Sequence, residues 1–120
     1  MSAVSFEPEE AQEVVRALAA VAAADGAILS REESFLEGFA VHHGVGGHAW
    51  IASPLDEVAL ARAVTDPAKR REVVALCLHM AHADHDYAPS ERVLIERIAA
   101  ALGIPDNVLA DLTATARVVR

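Results

Sequence analysis

Residues 76–98, LCLHMAHADHDYAPSERVLIERI, hold the pattern that decides the fold. Apolar residues at both ends recur every three or four positions, as on one face of an α-helix. The acidic, histidine-bearing centre interrupts that spacing, and Pro89 suits the first turn of a new helix. The stretch therefore predicts the end of one helix, a short loop and the start of another.

The same pattern occurs once before, 59 residues earlier in the chain. Between positions 14 and 45, 9 of 32 residues are identical to the residue 59 positions later, more than the Ala-rich composition alone would give. The sequence thus predicts two repeated helix–loop–helix units, at about 14–45 and 73–104. Two acids keep their spacing in both copies: Asp25 with Glu32, and Asp84 with Glu91.

Composition favours an all-α fold. Hydrophobic residues make up 53 % of the 120 residues but aromatic residues only 4 %, and Ala favours helices whereas β-branched and aromatic residues favour strands. A chain of this length can form one hydrophobic core, so we expect a single compact domain over residues 1–120 with six or seven helices. Capping residues and prolines predict helix starts at Pro8, Ser30, Ser53-Pro54, Asp66-Pro67 and Pro89 or Ser90, with a short helix around Trp50.

The net charge, the lengths of the apolar runs and the single cysteine limit the partners and the location that we expect for this chain. The net charge of −8 disfavours nucleic acid as a partner. The local basic cluster, Lys69-Arg70-Arg71, is expected to be a solvated helix surface. The longest apolar run covers positions 17–24, whereas a membrane helix needs about 20 residues. No secretory signal is visible, and the single Cys77, expected to be buried, cannot form an internal disulfide. These features favour a cytoplasmic protein without a membrane span.

Two acids stand where their helices are predicted to end. Helix C-termini carry partial negative charge, so the negative charges of Asp25 and Asp84 are unfavourable there. A bound cation would compensate for these charges. Glu32 and Glu91 open the following helices, so each hairpin can direct two carboxylates across its loop. Hard oxygen ligands of this kind favour Ca²⁺, Mg²⁺ or Mn²⁺. The alternative is that these acids only cap the helices or interact favourably with the helix dipole.

The second copy adds two further ligand candidates. His82 and Asp86 are four residues apart, which is about one helical turn, and either could join the acids. An imidazole ligand would move the preference toward Zn²⁺, Mn²⁺ or Ni²⁺. His79 is expected to be a helix-face or core imidazole instead. The predicted ligands of a divalent metal ion are therefore Asp25, Glu32, Asp84, Glu91, His82 and Asp86.

The hairpins resemble the TerB-like (tellurite resistance) family. The residues that carry the resemblance are AAADGAILSREESFLEGFA in the first copy and AHADHDYAPSERVLIERIAAALGI in the second. The resemblance implies an all-α fold of about seven helices, a divalent-metal site lined by the four repeated acids, and a role in tellurite or other stress responses. His85 departs from the glycine that the family motif has after the second Asp.

These expectations describe a domain without enzymatic activity. Motifs for a nucleophile, a phosphate loop or a dinucleotide turn are not visible in the sequence. A metal-assisted hydrolase with His82 as its base is disfavoured because no substrate-positioning motif accompanies it. The alternative to metal binding is a metal-free helical interaction module whose acidic face docks a basic protein partner.

Overall fold

The structure is a computed structural model that describes residues 6–24, 30–44, 55–82 and 89–118. These residues form helices and no strand, as the composition predicts. The helices pack into a body whose Cα radius of gyration is 13.0 Å. In chain order they are α1 (Pro8–Ala23), α2 (Ser30–His42), α3 (Glu57–Ala63), α4 (Pro67–His82), α5 (Pro89–Ala101) and α6 (Asp106–Val118).

Helix α1 lies at the centre of the fold. It packs against α2, α3, α4 and α5, because its apolar residues cover more than one face and its many alanines let neighbouring helices approach closely. Glu10 accepts a hydrogen bond from the Glu7 backbone N–H at 2.7 Å and so closes the first turn. Its buried residues are Ala11, Val14, Val15, Ala17, Leu18, Ala19, Val21 and Ala22.

The start of α3 differs from the prediction. We expected this helix to begin at Ser53-Pro54, but Leu55 and Asp56 are not helical and α3 begins at Glu57. The Asp56 carboxylate accepts hydrogen bonds from two backbone N–H groups of the first turn, at 3.0 and 3.1 Å. It therefore satisfies two donors that the helix leaves unpaired, which is why the helix begins after it. The helix predicted around Trp50 lies outside the described residues.

The basic cluster is not the solvated surface that we expected. Arg70 is half-buried and donates to three backbone carbonyls, those of Val64 at 2.7 Å, Ala61 at 2.9 Å and Leu102 at 3.1 Å. These carbonyls lie at the C-terminal ends of α3 and α5, where helices leave acceptors unpaired. Arg70 thus joins three helices, and of the three basic residues Arg71 alone is exposed.

The bounds of the helices follow the offset of the sequence repeat. Adding 59 to the bounds of α1 gives 67 and 82, which are the bounds of α4, and adding 59 to those of α2 gives 89 and 101, which are those of α5. A glycine with positive φ follows each second helix, Gly44 at +77° and Gly103 at +70°. In this left-handed region a Cβ is strained, so glycine suits the turn at both positions.

Candidate functional site

The start of α2 lies beside the end of α4. The rings of Phe35, in the second turn of α2, and His79, in the last turn of α4, have centroids 6.3 Å apart. Phe35 also contacts Phe39, with ring centroids 6.5 Å apart, and Phe39 is buried in the hydrophobic core. The second turn of α2 and the last turn of α4 are therefore neighbours in the fold.

Two of the predicted ligands flank this contact along their helices. Glu32 precedes Phe35 by three residues in α2, and His82 follows His79 by three residues at the end of α4. Residues three apart share a face of a helix and lie about 5 Å apart along it. The backbone positions of Glu32 and His82 are thus each about one turn from the ring contact. Their side chains are outside the described structure.

Glu91 is the predicted ligand whose side chain the structure describes. It is the third residue of α5 and only 1 % exposed, and it is the one charged residue in the buried part of the described chain. Burying a carboxylate is unfavourable unless the charge is stabilised. The positive end of the α5 dipole supplies part of that stabilisation. Burial distinguishes Glu91 from an ordinary solvent-exposed acid in a first helical turn.

The remaining predicted ligands lie in the junctions themselves. Asp25 directly follows the described end of the α1 segment at Ala24, whereas Asp84 and Asp86 lie between α4 and α5; all three are outside the described residues. Among the side chains that the structure does describe, no three His, Cys, Asp or Glu come together as a metal site. The six predicted ligands therefore stay a prediction.

A line of aromatic rings runs from the contact of Phe35 with His79 to Phe6, just before α1. Phe39 contacts the ring of His43 with a centroid distance of 4.3 Å, and Phe6 lies 5.7 Å from His43. The Nδ1 atom of His43 donates to the Phe39 carbonyl at 2.9 Å, which fixes the imidazole at the end of α2. This cluster was not anticipated, although the spacing of Phe35, Phe39 and His43 at four-residue intervals contains the signal for it.

Cys77 is buried, as its position on the apolar face of α4 predicts. Burial raises the pKa of its thiol to about 12, so the group is protonated at neutral pH. A thiolate is the nucleophilic and reducing form of cysteine. Cys77 is therefore not equipped for thiol chemistry in the folded protein.

The described helices include none that is both long and apolar enough to cross a lipid bilayer.

The sequence comparisons identify one family. Its description is "Protein of unknown function (DUF533)", and its model matches residues 2–116, nearly the whole chain. This family is one of the TerB-like families. No significant match was found among curated proteins or among solved structures.

Proposed function

The chain belongs to the DUF533 family, and from that premise we propose that it is a TerB-like domain that binds one divalent cation and has no enzymatic activity of its own. The ligands proposed are the repeated acids, with His82 or Asp86 completing the set. The proposed setting is a cytoplasmic response to tellurite or a related stress. The four acids are Asp25, Glu32, Asp84 and Glu91.

The contact between Phe35 and His79 carries this proposal. A site shared by two hairpins requires the loop after α1 and the loop after α4 to lie near each other. The 6.3 Å separation of the two rings supports that arrangement, because one ring lies near the start of α2 and the other near the end of α4. Each ring is about one helical turn from a proposed ligand, Glu32 on one side and His82 on the other.

The burial of Glu91 gives independent support. Glu91 is 1 % exposed, whereas an acid that only interacts with the helix dipole is favourable at the surface. Low exposure would strengthen the attraction of this carboxylate to a bound cation. Oxygen ligands from several carboxylates suit Ca²⁺, Mg²⁺ or Mn²⁺, and a contribution from His82 would favour Zn²⁺ or Mn²⁺.

We also propose that the two helix–loop–helix units are a duplication related by a pseudo-twofold axis. The matching helix bounds support this. So does the burial of equivalent residues: Val14 and Val73 are both fully buried, as are Leu36 and Ile95. Under such symmetry the two acidic hairpins would contribute equivalent ligands to one ion.

The number of ions bound per chain tests the proposal directly. Metal-free protein is dialysed against Ca²⁺, Mg²⁺, Mn²⁺ or Zn²⁺ and the bound metal is measured. We expect one ion per chain, lost in both Glu32→Gln and Glu91→Gln. The matched control is Glu33→Gln, which changes an exposed acid next to Glu32 and leaves binding intact.

Two results would oppose a shared site. Two ions per chain, each lost with one hairpin only, would mean that the hairpins bind separately. No bound ion under any condition would overturn metal binding. Capture of a basic peptide that depends on the four acids but survives chelation would then favour the metal-free interaction module.

A further inference from the structure

A groove runs along the outer side of the domain between α5 and α6. Its volume is about 1080 Å³. Small side chains form much of its lining, including Ala100 on α5 and Ala110 and Ala114 on α6, so an approaching helix would meet little steric resistance. Val93 lines the same groove and is 56 % exposed, a large apolar side chain in contact with solvent.

The charges along this groove are mixed. Arg92 and Glu96 both line it and form a salt bridge of 3.3 Å on the surface of α5, with side chains 68 % and 51 % exposed. An exposed pair one turn apart contributes little to the stability of the single chain. Both groups therefore remain available to pair with charges on another molecule.

We propose that the α5 face of this groove is a twofold interface with a second copy of this chain. In an isologous contact residue i of one chain meets residue j of its partner, and j meets i. Two antiparallel copies of α5 would then bring each Arg92 opposite the partner's Glu96. The chain has a net charge of −8, so two copies repel except where such opposite charges face each other.

The position of Val93 fits this symmetry. Along the helix axis, the midpoint between Arg92 and Glu96 is at the level of position 94. The twofold axis would therefore cross α5 within about one residue of Val93. Two exposed valines would bury each other at the centre, and the two Arg92–Glu96 pairs would flank them. An apolar centre with a polar rim is the usual arrangement in protein interfaces. A uniformly basic partner would pair with Glu96 and Asp106 but would oppose Arg92, whereas a second copy of the chain gives Arg92 and Glu96 each an opposite charge.

Charge reversal tests the proposal without disturbing the fold, since both residues are exposed. The 120-residue chain is studied by sedimentation over a wide concentration range. We expect the wild type to move toward twice the 12.7 kDa mass of one chain. Arg92→Glu and Glu96→Arg should each weaken self-association about tenfold or more, because each creates two like-charge contacts.

The decisive experiment mixes the two single variants. In a mixed dimer, the Arg92→Glu chain has an acid at both positions 92 and 96, and the Glu96→Arg chain has a base at both. Every contact across the interface is then attractive, so the heterodimer should form with at least the wild-type affinity. Val93→Glu should abolish association, whereas the control Val41→Glu, at another exposed valine, should not. A wild-type chain that stays monomeric at all concentrations, or a mixture that associates no better than its components, overturns the proposal.

Discussion

Glu10 and Lys69 stand 59 residues apart and are joined by a salt bridge of 2.8 Å between the first turns of α1 and α4. Their separation equals the offset of the sequence repeat, so each residue contacts the position equivalent to its own. Contact between equivalent positions is what a twofold relation produces close to its axis. The pair therefore supports the pseudo-twofold relation that we propose for the two units.

The Glu10–Lys69 pair should make the stability of the protein depend on pH. Partial burial raises the pKa of Glu10, but hydrogen bonds from Lys69 and from the Glu7 backbone lower it, and the net pKa lies below its ordinary value of 4.5. A lowered carboxyl pKa means stabilisation that is present above 4.5 and is lost as the pH falls through the folded-state value. We expect Glu10→Gln to lower the thermal midpoint by about 2–5 °C at neutral pH.

The test compares urea unfolding of the wild type and Glu10→Gln at neutral and at acid pH. The difference in the free energy of unfolding between the two proteins should shrink once the pH is well below 4.5. A difference of the same size at both pH values would show that the charge of Glu10 is not the source of the effect.

Arg70 should be more important for stability than any other basic residue of its cluster. Its guanidinium donates to carbonyls of Val64, Ala61 and Leu102, and its removal leaves helix-end acceptors without their donor. We expect Arg70→Met to lower the free energy of unfolding by about 2–4 kcal/mol, measured by urea denaturation. Arg70→Lys should lower the free energy of unfolding by less than Arg70→Met does, but to a value still below that of the wild type. A lysine ammonium cannot reproduce the hydrogen-bond geometry of the planar guanidinium.

Arg71→Met is the matched control for Arg70. It changes the neighbouring exposed arginine of the same helix, and surface substitutions of this kind usually alter stability by less than about 0.5 kcal/mol. Equal losses in the two variants would mean that the charge of the cluster, and not the three hydrogen bonds, stabilises the fold.

Cys77 should resist thiol reagents in the folded protein. Burial shields its sulfur and raises the pKa of its thiol to about 12, so at pH 8 the reactive thiolate is scarce as well as inaccessible. A disulfide reagent monitored by absorbance should react with one thiol per chain in guanidinium and far more slowly without it. Fast reaction of the native protein would contradict the burial.

The all-helical class and several helix starts could be predicted from the sequence, because composition, prolines and capping residues are local signals. The helix starts at Pro8 and Pro67 were predicted from proline and neighbouring capping residues, and the structure confirms them; of the two predicted starts Pro89 and Ser90, the helix begins at Pro89. Helix α3 was predicted to begin too early, because a Ser-Pro pair and Asp56 are both acceptable starts and the sequence does not rank them. The two carboxylate hydrogen bonds of Asp56 decide between them.

The tertiary role of Arg70 could not be predicted in the same way. A Lys-Arg-Arg run at the start of a helix normally indicates solvated charge. The three carbonyls lie within reach of Arg70 only because the C-terminal ends of α3 and α5 are close together in the fold. The candidate site shows the same limit. The sequence identified six residues with the chemistry of metal ligands, but it did not predict that the start of α2 lies beside the end of α4, which the contact of Phe35 with His79 shows.

Thermal unfolding of metal-free protein, titrated with Ca²⁺, Mg²⁺, Mn²⁺ and Zn²⁺, tests the central claim most directly. An ion present at 100 times its Kd should add about 2.7 kcal/mol to the free energy of unfolding and raise the midpoint clearly. The account predicts such a rise with one preferred ion, lost in Asp25→Asn and equally in Asp84→Asn because both hairpins hold the same ion. A midpoint that no ion raises, or a rise that survives both substitutions, would contradict it.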